Sequence, residues 1–287
     1  HAQGVALAAQ LLGIKSKVYM PVSASIPKVL ATKGYGAEVK FAGDTIDVAI
    51  AEARKDSEQT GSIFISPFDH PHIVAGQGTV GLEIIEQLSD VKTVLVCTGG
   101  GGLIAGSALA IKKKNPKVKV IGVQAENAAA YPQSLKEGEP VALKSMNTMA
   151  DGIAVGKPGD VPFAIIKDYV DEIITVSENE LSIGLLQTLE RGKLLVEPGG
   201  AAAVAAFIAN PKAFEGPVAI VLSGGNIDPL LLERIMQTGL AAAGRYLTVR
   251  IRIKDKPGSL AKLLSEIGFL GANILDVFHL RDRKSVV

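Results

Sequence analysis

The chain has 287 residues, of which 47% are hydrophobic and 21% charged, and its formal net charge is +1. This length fits two or three compact units rather than one small core. The near-neutral charge gives no field that would draw the protein to nucleic acid or an anionic membrane, so we expect neither partner. The longest apolar run, residues 201–209, is about half as long as a membrane-spanning helix. The single cysteine and the lack of a signal peptide indicate a reducing cytoplasm.

Helical and extended patterns alternate from residue 1 to about residue 235. Helices are predicted, among other places, over residues 2–12, 25–34 and 44–57, with Ser25 and Asp44 as N-terminal caps. Strands are predicted at Lys17–Met20, Glu38–Phe41, Ser62–Ile65, Thr93–Cys97, Val118–Val123, Glu172–Val176 and Val218–Leu222. Several of these strands are apolar throughout, which is typical of a parallel sheet covered by helices on both faces. The pattern predicts an α/β fold.

Residues from 246 onward follow a different pattern. Tyr246–Ile253 alternates between apolar and polar side chains, which predicts a half-exposed strand. A DKPGS turn at 255–259, a helix over Leu260–Ile267 and a strand over Asn273–Leu280 come next. This order is half of a ferredoxin-like α+β module. Residues 238–245 are the predicted linker before it.

A run of four glycines, Gly99, Gly100, Gly101 and Gly102, stands between a predicted buried strand and a predicted helix. Consecutive glycines let the backbone approach an anion and adopt angles that other residues avoid. The helix N-terminus behind them offers free N–H groups and the positive end of the helix dipole. The motif therefore predicts a phosphate site built from main chain. We expect that a side chain at Gly101 would occupy the place of the phosphate.

The same loop admits a second interpretation. Gly100, Gly102 and Ala105 satisfy the G-x-G-x-x-G/A pattern of dinucleotide-binding loops. Glu126 follows the next strand at roughly the spacing of the acid that binds the ribose. A nicotinamide (NAD)-dependent oxidoreductase is therefore a rival prediction, and the glycine loop alone does not decide between the two.

Four further segments accompany the glycine loop: HAQGVALAAQ at 1–10, SPFDHPHIVAGQGTVGLEI at 66–84, VEPGGAAAVAA at 196–206 and LSGGN at 222–226. Together the five segments resemble the fold-type-II pyridoxal-phosphate enzymes, and the glycine loop is similar to that of their serine/threonine dehydratase branch. The resemblance covers residues 1 to about 235. It implies two open parallel-sheet domains of the tryptophan synthase β-like type, with residues 1–66 in the small domain and 67–237 in the large cofactor domain.

The resemblance implies pyridoxal 5'-phosphate as the cofactor. Its phosphate would be held by the loop residues Gly99, Gly100, Gly101, Gly102 and Leu103, and Ser223 would hydrogen-bond its pyridine nitrogen. A neutral hydroxyl does not keep that nitrogen protonated, so the cofactor would be a shallower electron sink. A shallow sink favours prompt loss of a β-hydroxyl over racemisation.

The resemblance also implies a Schiff-base lysine in a Ser-Phe-Lys context and an asparagine in a Ser-Gly-Asn run, both upstream of the first segment. Neither context occurs in this sequence. His1 opens directly into helical periodicity and Val287 follows a predicted strand, so we expect a chain clipped at both ends. No catalytic residue is assigned. The lysines near the start are predicted to be solvated surface charges, namely Lys15, Lys17, Lys28 and Lys33.

No metal site is predicted. His70 and His72 flank a proline, but no cysteine or third ligand stands near them, which favours a loop or packing role. Relatives such as serine racemase bind a divalent ion beside acidic residues, at positions where this sequence has Gln124 and Ala130. Cys97 ends an apolar strand and is predicted to be a buried small hydrophobic residue.

The C-terminal segment resembles an ACT domain through RIKDKPGSLAKLLSEI at 252–267 and GANILDV at 271–277. ACT domains pair and bind a small amino acid between the loop of one partner and a strand of the other. By position, Asp255 and Gly258 would lie in that loop and Asn273 at the start of that strand. We expect residues 246–287 to be a partial ACT regulatory domain that binds an effector. A module that only dimerises is the alternative.

The resemblance implies an L-threonine ammonia-lyase that eliminates the β-hydroxyl and releases 2-oxobutanoate and ammonia, with serine as a poorer substrate. Serine dehydratase, serine racemase and threonine synthase stay open within the same family. Outside it, the alternatives are the NAD-dependent oxidoreductase and a non-catalytic amino-acid-binding regulator. The expected partners are a small amino-acid substrate, an amino-acid effector and further copies of the chain, in a dimer or tetramer.

Overall fold

The computed structural model describes residues 1–245 and 247–280. The chain forms two compact units, one up to residue 246 and one from residue 247 onward. Within the described residues, no helix combines the length and the apolar character that crossing a bilayer requires.

The first unit alternates helices and strands along most of its length. Its strands are β1 Lys17–Met20, β2 Glu38–Phe41, β3 Thr93–Cys97, β4 Lys119–Ala125, β5 Glu172–Val176 and β6 Val218–Ile220. Its helices are α1 Ala2–Leu11, α2 Ile26–Gly34, α3 Ile46–Thr60, α4 Pro71–Gln87, α5 Gly102–Lys114, α6 Tyr131–Glu137, α7 Asp160–Tyr169, α8 Glu178–Gln187, α9 Pro198–Ala209 and α10 Pro229–Ala242.

These strands form two open sheets, and every pairing between them is parallel. β1 pairs with β2, with Lys17 opposite Glu38. The larger sheet has the order β5-β4-β3-β6, with Val94 of β3 between Val120 and Ala219 of its two neighbours. The predicted α/β fold with open parallel sheets is therefore confirmed.

Successive residues of β3 enter two different cores. Val94 and Val96 pack with side chains from α4, α5 and α7 on one face of the sheet. Leu95 and Cys97 pack with side chains from α8 and α9 on the other face. Because side chains alternate across a strand, a strand covered on both faces must be apolar throughout. This explains the continuous apolar run that the sequence shows.

Small residues bring α4 close to α5, the helix that follows the glycine loop. A Cβ atom built on Gly106 of α5 would overlap the Val74 carbonyl oxygen, and one built on Gly81 of α4 would overlap the Ser107 carbonyl oxygen. The glycines in the 66–84 segment therefore let two helices pack backbone against backbone. That contact holds α5 against α4.

Several predicted boundaries need correction. The cap of α3 is Thr45 rather than Asp44, because its extended backbone lets the hydroxyl oxygen accept from the Val48 N–H at 3.4 Å. Residues 62–65 form no strand, since they pair with no strand among the described residues, and Ile63 is 86% exposed. β4 begins one residue later than predicted and ends at Ala125, and β6 ends at Ile220.

The second unit, from residue 247, contains one helix in its described part, α11 Ser259–Phe269. The predicted helix over Leu260–Ile267 is thus confirmed, whereas the predicted strands are not found within residues 247–253 and 273–280. A strand needs a neighbour for its backbone N–H and C=O groups, and these segments have none in the described part of the chain. The predicted linker is also partly wrong, because α10 runs through Ala242. A ferredoxin-like module is not evident here.

Candidate active site

The carboxyl ends of β3 and β6 form one edge of the larger sheet, because the two strands are parallel neighbours. The glycine loop follows β3 at Cys97, and Ser223 follows β6. The structure brings these segments together, since the Val221 N–H, two residues before Ser223, donates to the Leu95 oxygen of β3 at 3.0 Å. Ligands of open α/β sheets bind at this carboxyl edge. The two strongest motifs of the sequence therefore share one site.

The glycine loop presents a row of unpaired amides. None of the backbone N–H groups from Gly99 to Ile104 donates a hydrogen bond to any group in the described part of the chain. Gly102 begins α5, a helix of 13 residues, and the positive end of a helix dipole lies at its N-terminus. Such a row of N–H groups at a helix start is an anion site.

The carbonyl groups of Thr98 and Gly100 are turned the other way, into the protein. The Thr98 oxygen accepts from Gln124 Nε2 at 3.3 Å. The Gly100 oxygen accepts from the Gly159 N–H and from the Tyr131 hydroxyl, each at 3.1 Å. In a trans peptide the C=O and the following N–H point in opposite directions. Binding these carbonyls to the protein therefore aims the amides away from it.

The four glycines are needed because protein packs against the loop. A Cβ atom on Gly99 would lie 3.0 Å from the Ile153 Cα, and one on Gly102 would lie 3.1 Å from the Phe68 Cα. Gly101 has φ +101°, and its Cβ would overlap the Tyr131 hydroxyl. The expectation that a side chain at Gly101 would take the place of the phosphate is therefore wrong. It would enter the protein behind the loop instead.

Glu197 lies beside Ser223, although the sequence indicated no role for it beyond a helix start. Its backbone N–H donates to the Gly224 oxygen at 3.0 Å, and its side chain would meet a Cβ on Gly224. The carboxylate is 15% exposed and lies 3.8 Å from Lys28 Nζ. Burial raises the pKa of this carboxyl, and Lys28 opposes the rise.

Two of the lysines are ion-paired rather than solvated as predicted. Lys28 Nζ lies 2.7 Å from Asp151 and is 24% exposed. Lys17 Nζ lies 2.8 Å from Asp56 and is 27% exposed. Sequence spacing gave no sign of the first pair, because Lys28 lies on α2 and Asp151 lies 123 residues later.

Residues 1–224 match a family model described as pyridoxal-phosphate dependent enzyme. The chain belongs to this family. An L-threonine ammonia-lyase from Thermotoga maritima is 47% identical over 286 residues, which are 100% of this chain and 71% of that protein. A catabolic L-threonine dehydratase from Escherichia coli K12 is 44% identical over 252 residues, covering 85% of this chain and 74% of that protein.

Solved structures of this pyridoxal-phosphate-dependent family have the same fold. The processed form of a threonine deaminase from Solanum lycopersicum gives a TM-score of 0.77 at 37% identity. The match covers 83% of this chain and 70% of the deaminase chain. Maize serine racemase gives a TM-score of 0.75 at 33% identity, and the match covers 85% of this chain and 76% of the racemase chain. The predicted resemblance is confirmed, and membership of this family contradicts the dinucleotide interpretation of the glycine loop.

The backbone around the loop fits the phosphate of a pyridoxal-phosphate-dependent enzyme. The unpaired amides of Gly99, Gly100, Gly101, Gly102 and Leu103 supply donors without any cationic side chain. A phosphate accepts several hydrogen bonds from such a row and is favoured by the helix dipole. The site therefore has the chemistry that this cofactor requires at its phosphate end.

Other singled-out residues have structural roles in this fold. Cys97 is buried as predicted, and burial raises the pKa of its thiol to about 12. His70 precedes α4, and its Nδ1 accepts from the His72 N–H at 3.2 Å. Gln124 is fully buried. Its amide nitrogen donates to the Thr98 oxygen, and its amide oxygen accepts from the Tyr131 N–H.

The proposed effector residues all lie in the second unit. Asp255, Gly258 and Asn273 are exposed. Asp255 and Gly258 belong to the turn before α11, where Gly258 has φ +83° and precedes the first residue of the helix. Asn273 follows α11 after a short turn. The turn and helix that the sequence predicted here are present.

Proposed function

We propose that this chain carries the cofactor site of an L-threonine ammonia-lyase, which converts L-threonine to 2-oxobutanoate and ammonia. The observation that carries the proposal is the row of unpaired amides from Gly99 to Ile104 at the carboxyl edge of the sheet. It is supported by the 47% identity to the L-threonine ammonia-lyase of Thermotoga maritima along the whole chain.

Each motif residue has a distinct task in this proposal. Pyridoxal phosphate, when bound, supplies a sink for the electrons released at the substrate Cα. The amides of Gly99 to Leu103 hold its phosphate, and the Ser223 hydroxyl hydrogen-bonds its pyridine nitrogen. A neutral partner at that nitrogen favours loss of the β-hydroxyl of threonine. Serine has the same leaving group and would give pyruvate.

We further propose the domain limits that the resemblance implies. Residues 1–66 form part of a small α/β domain, residues 67–237 form the large cofactor domain, and residues 246–287 form part of an ACT regulatory domain. The small domain contains the β1-β2 sheet and the large domain the four-stranded sheet. The protein is proposed to be a cytoplasmic homo-oligomer, a dimer or a tetramer.

The absorbance spectrum of the protein, purified with its complete chain, tests the proposed function. A Schiff base between a lysine and pyridoxal phosphate absorbs near the visible edge, and this band should shift when L-threonine is added. A nicotinamide-dependent enzyme or a cofactor-free regulator would show no such band. A spectrum that lacks the band after incubation with pyridoxal phosphate would contradict the proposal.

The ACT proposal predicts that isoleucine or valine binds the second unit and alters threonine affinity. Gly258 presents no side chain to a ligand, and its N–H donates to no group in the described residues. Asn273 would hold the polar end of the amino acid. Because coupling between binding sites is reciprocal, the effector should shift threonine affinity by roughly 1–3 kcal/mol. Calorimetric titration of the complete protein with each branched-chain amino acid measures the binding.

Two variants make this test specific. Gly258→Val should abolish the heat of binding, whereas Gly36→Val is a matched control, since Gly36 has φ +81° and, like Gly258, no heavy atom within 4 Å of a built Cβ. Asn273→Ala should weaken binding. Binding that is unchanged in both Gly258→Val and Asn273→Ala would place the effector site elsewhere. If none of the amino acids gives a heat of binding, the second unit would serve only for dimerisation.

A further inference from the structure

Two buried polar side chains behind the glycine loop have no part in the function described so far. Gln124 is the second-last residue of β4, and Tyr131 is the first residue of α6. Both are 0% exposed. Tyr131 belongs to an otherwise apolar core with Phe163 and Ile166. Placing an amide and a hydroxyl there costs free energy unless every polar atom is hydrogen-bonded.

The hydrogen bonds of these two side chains converge on the glycine loop. Gln124 Nε2 donates to the Thr98 oxygen at 3.3 Å, and Gln124 Oε1 accepts from the Tyr131 N–H at 3.0 Å. The Tyr131 hydroxyl donates to the Gly100 oxygen at 3.1 Å. The network thus runs from the start of the loop through Gln124 and Tyr131 to its middle.

The two carbonyls that this network binds determine where two loop amides point. Thr98 C=O is part of the peptide that contains the Gly99 N–H, and Gly100 C=O is part of the peptide that contains the Gly101 N–H. Since C=O and N–H oppose each other in a trans peptide, holding the carbonyls inward turns these amides outward. Glycine has little intrinsic preference for either orientation, so something outside the loop must select one.

The chemistry of Tyr131 suits this task. Burial, assisted by the charge of Asp69, raises the pKa of the phenol well above its usual range. The hydroxyl therefore stays protonated at any pH where the enzyme works, and it can always donate to the carbonyl. Tyr131 is fully buried, and Phe163 stacks on its ring with centroids 6.4 Å apart, so core packing holds the hydroxyl against the loop.

We propose that Gln124 and Tyr131 are positioning residues for the cofactor phosphate: they fix the peptides of the glycine loop so that its amides face the ligand. This inference rests on the proposed function only in taking pyridoxal phosphate as that ligand. The two residues touch neither cofactor nor substrate. They act through the Thr98 and Gly100 carbonyls, and they lower the cost of ordering the loop when phosphate binds.

The deciding variant is Tyr131→Phe, which removes one oxygen atom and keeps the packed ring. The apoenzyme of the complete protein is titrated with pyridoxal phosphate and, separately, with pyridoxal, which lacks the phosphate, and binding is followed by absorbance. Loss of one hydrogen bond should weaken the binding of pyridoxal phosphate about three- to tenfold. Pyridoxal affinity should stay at the parental value. The phosphorus resonance of the bound cofactor should also shift from its parental position.

Tyr169→Phe is the matched control. Tyr169 packs against the same core, and its hydroxyl makes no hydrogen bond with the described residues. This variant should bind both ligands as the parent does. Gln124→Met, which keeps the side-chain length but cannot donate to Thr98, should reproduce the phosphate-selective loss.

The outcomes separate the inference from the proposed function. If the parent binds pyridoxal phosphate and Tyr131→Phe binds it equally well with an unshifted phosphorus resonance, the positioning role is wrong while the function stands. If Tyr131→Phe weakens the binding of pyridoxal and of pyridoxal phosphate by the same factor, the residue supports only the fold, and the inference again fails. A parent that binds no pyridoxal phosphate would overturn the proposed function itself.

Discussion

Replacing Gly101 with alanine is expected to remove pyridoxal phosphate from the purified protein. The residue has φ +101°, a conformation that costs an L-residue about 1–3 kcal/mol. The new methyl group would also overlap the Tyr131 hydroxyl, which holds the Gly100 carbonyl. Either Tyr131 or the loop must move, and both movements disturb the orientation of the amides.

The measurement is the amount of cofactor per chain after desalting, together with the melting temperature. Gly61→Ala is the matched control, because Gly61 has φ +72° and no heavy atom within 4 Å of its built Cβ. The control should have a lower melting temperature because of backbone strain and should keep its cofactor. Gly101→Ala should have a lower melting temperature and should also lose its cofactor. A Gly101→Ala protein with one cofactor per chain would show that the loop does not hold the phosphate.

The substitution Ser223→Asp is expected to slow threonine deamination by roughly tenfold or more, the rate equivalent of about 1.4 kcal/mol. A carboxylate beside the pyridine nitrogen would keep that nitrogen protonated and deepen the electron sink of the cofactor. Negative charge at the substrate Cα would then persist longer, so racemisation should increase relative to elimination. Glu197, whose side chain is close to Gly224, adds a second carboxyl near the new one.

Deamination and racemisation of L-threonine should be measured on the same preparation, with the cofactor content checked by absorbance. Ser223→Ala is the milder comparison, since it removes one neutral hydrogen bond, worth on the order of 1 kcal/mol. It should lower the rate without changing the ratio of the two reactions. An unchanged ratio in Ser223→Asp, with cofactor still bound, would remove Ser223 from the mechanism.

The fold could be predicted wherever local sequence alone determines an element. β1, β2, β3 and β5 have the predicted bounds, because short runs with apolar side chains at successive or alternate positions, set between turn residues, leave few other conformations. The segment 62–65 has a similar composition and is not a strand, because strand formation also depends on a neighbour that the local sequence does not reveal. The predicted strands after residue 246 are wrong within the described residues for the same reason.

The place of the glycine loop in the fold could be predicted from the sequence, whereas the side chains that support the loop could not. Gly99 to Gly102 lie between a buried strand and a helix, as the pattern predicted, and their role at the cofactor phosphate stays a prediction. Gln124 and Tyr131 bind carbonyls that lie 26 and 31 residues away along the chain. Only the fold brings such residues together. The one local sign was a glutamine near the end of the apolar strand β4, where a buried amide needs partners.

The most direct test of the central claim is the rate of 2-oxobutanoate formation from L-threonine as pyridoxal phosphate is added back to the apoenzyme of the complete protein. The proposed function predicts no product without cofactor and a rate that rises to saturation at about one pyridoxal phosphate per chain, since each chain has one glycine loop of this kind. A nicotinamide dinucleotide should have no effect. Absence of 2-oxobutanoate at saturating pyridoxal phosphate would contradict the proposal.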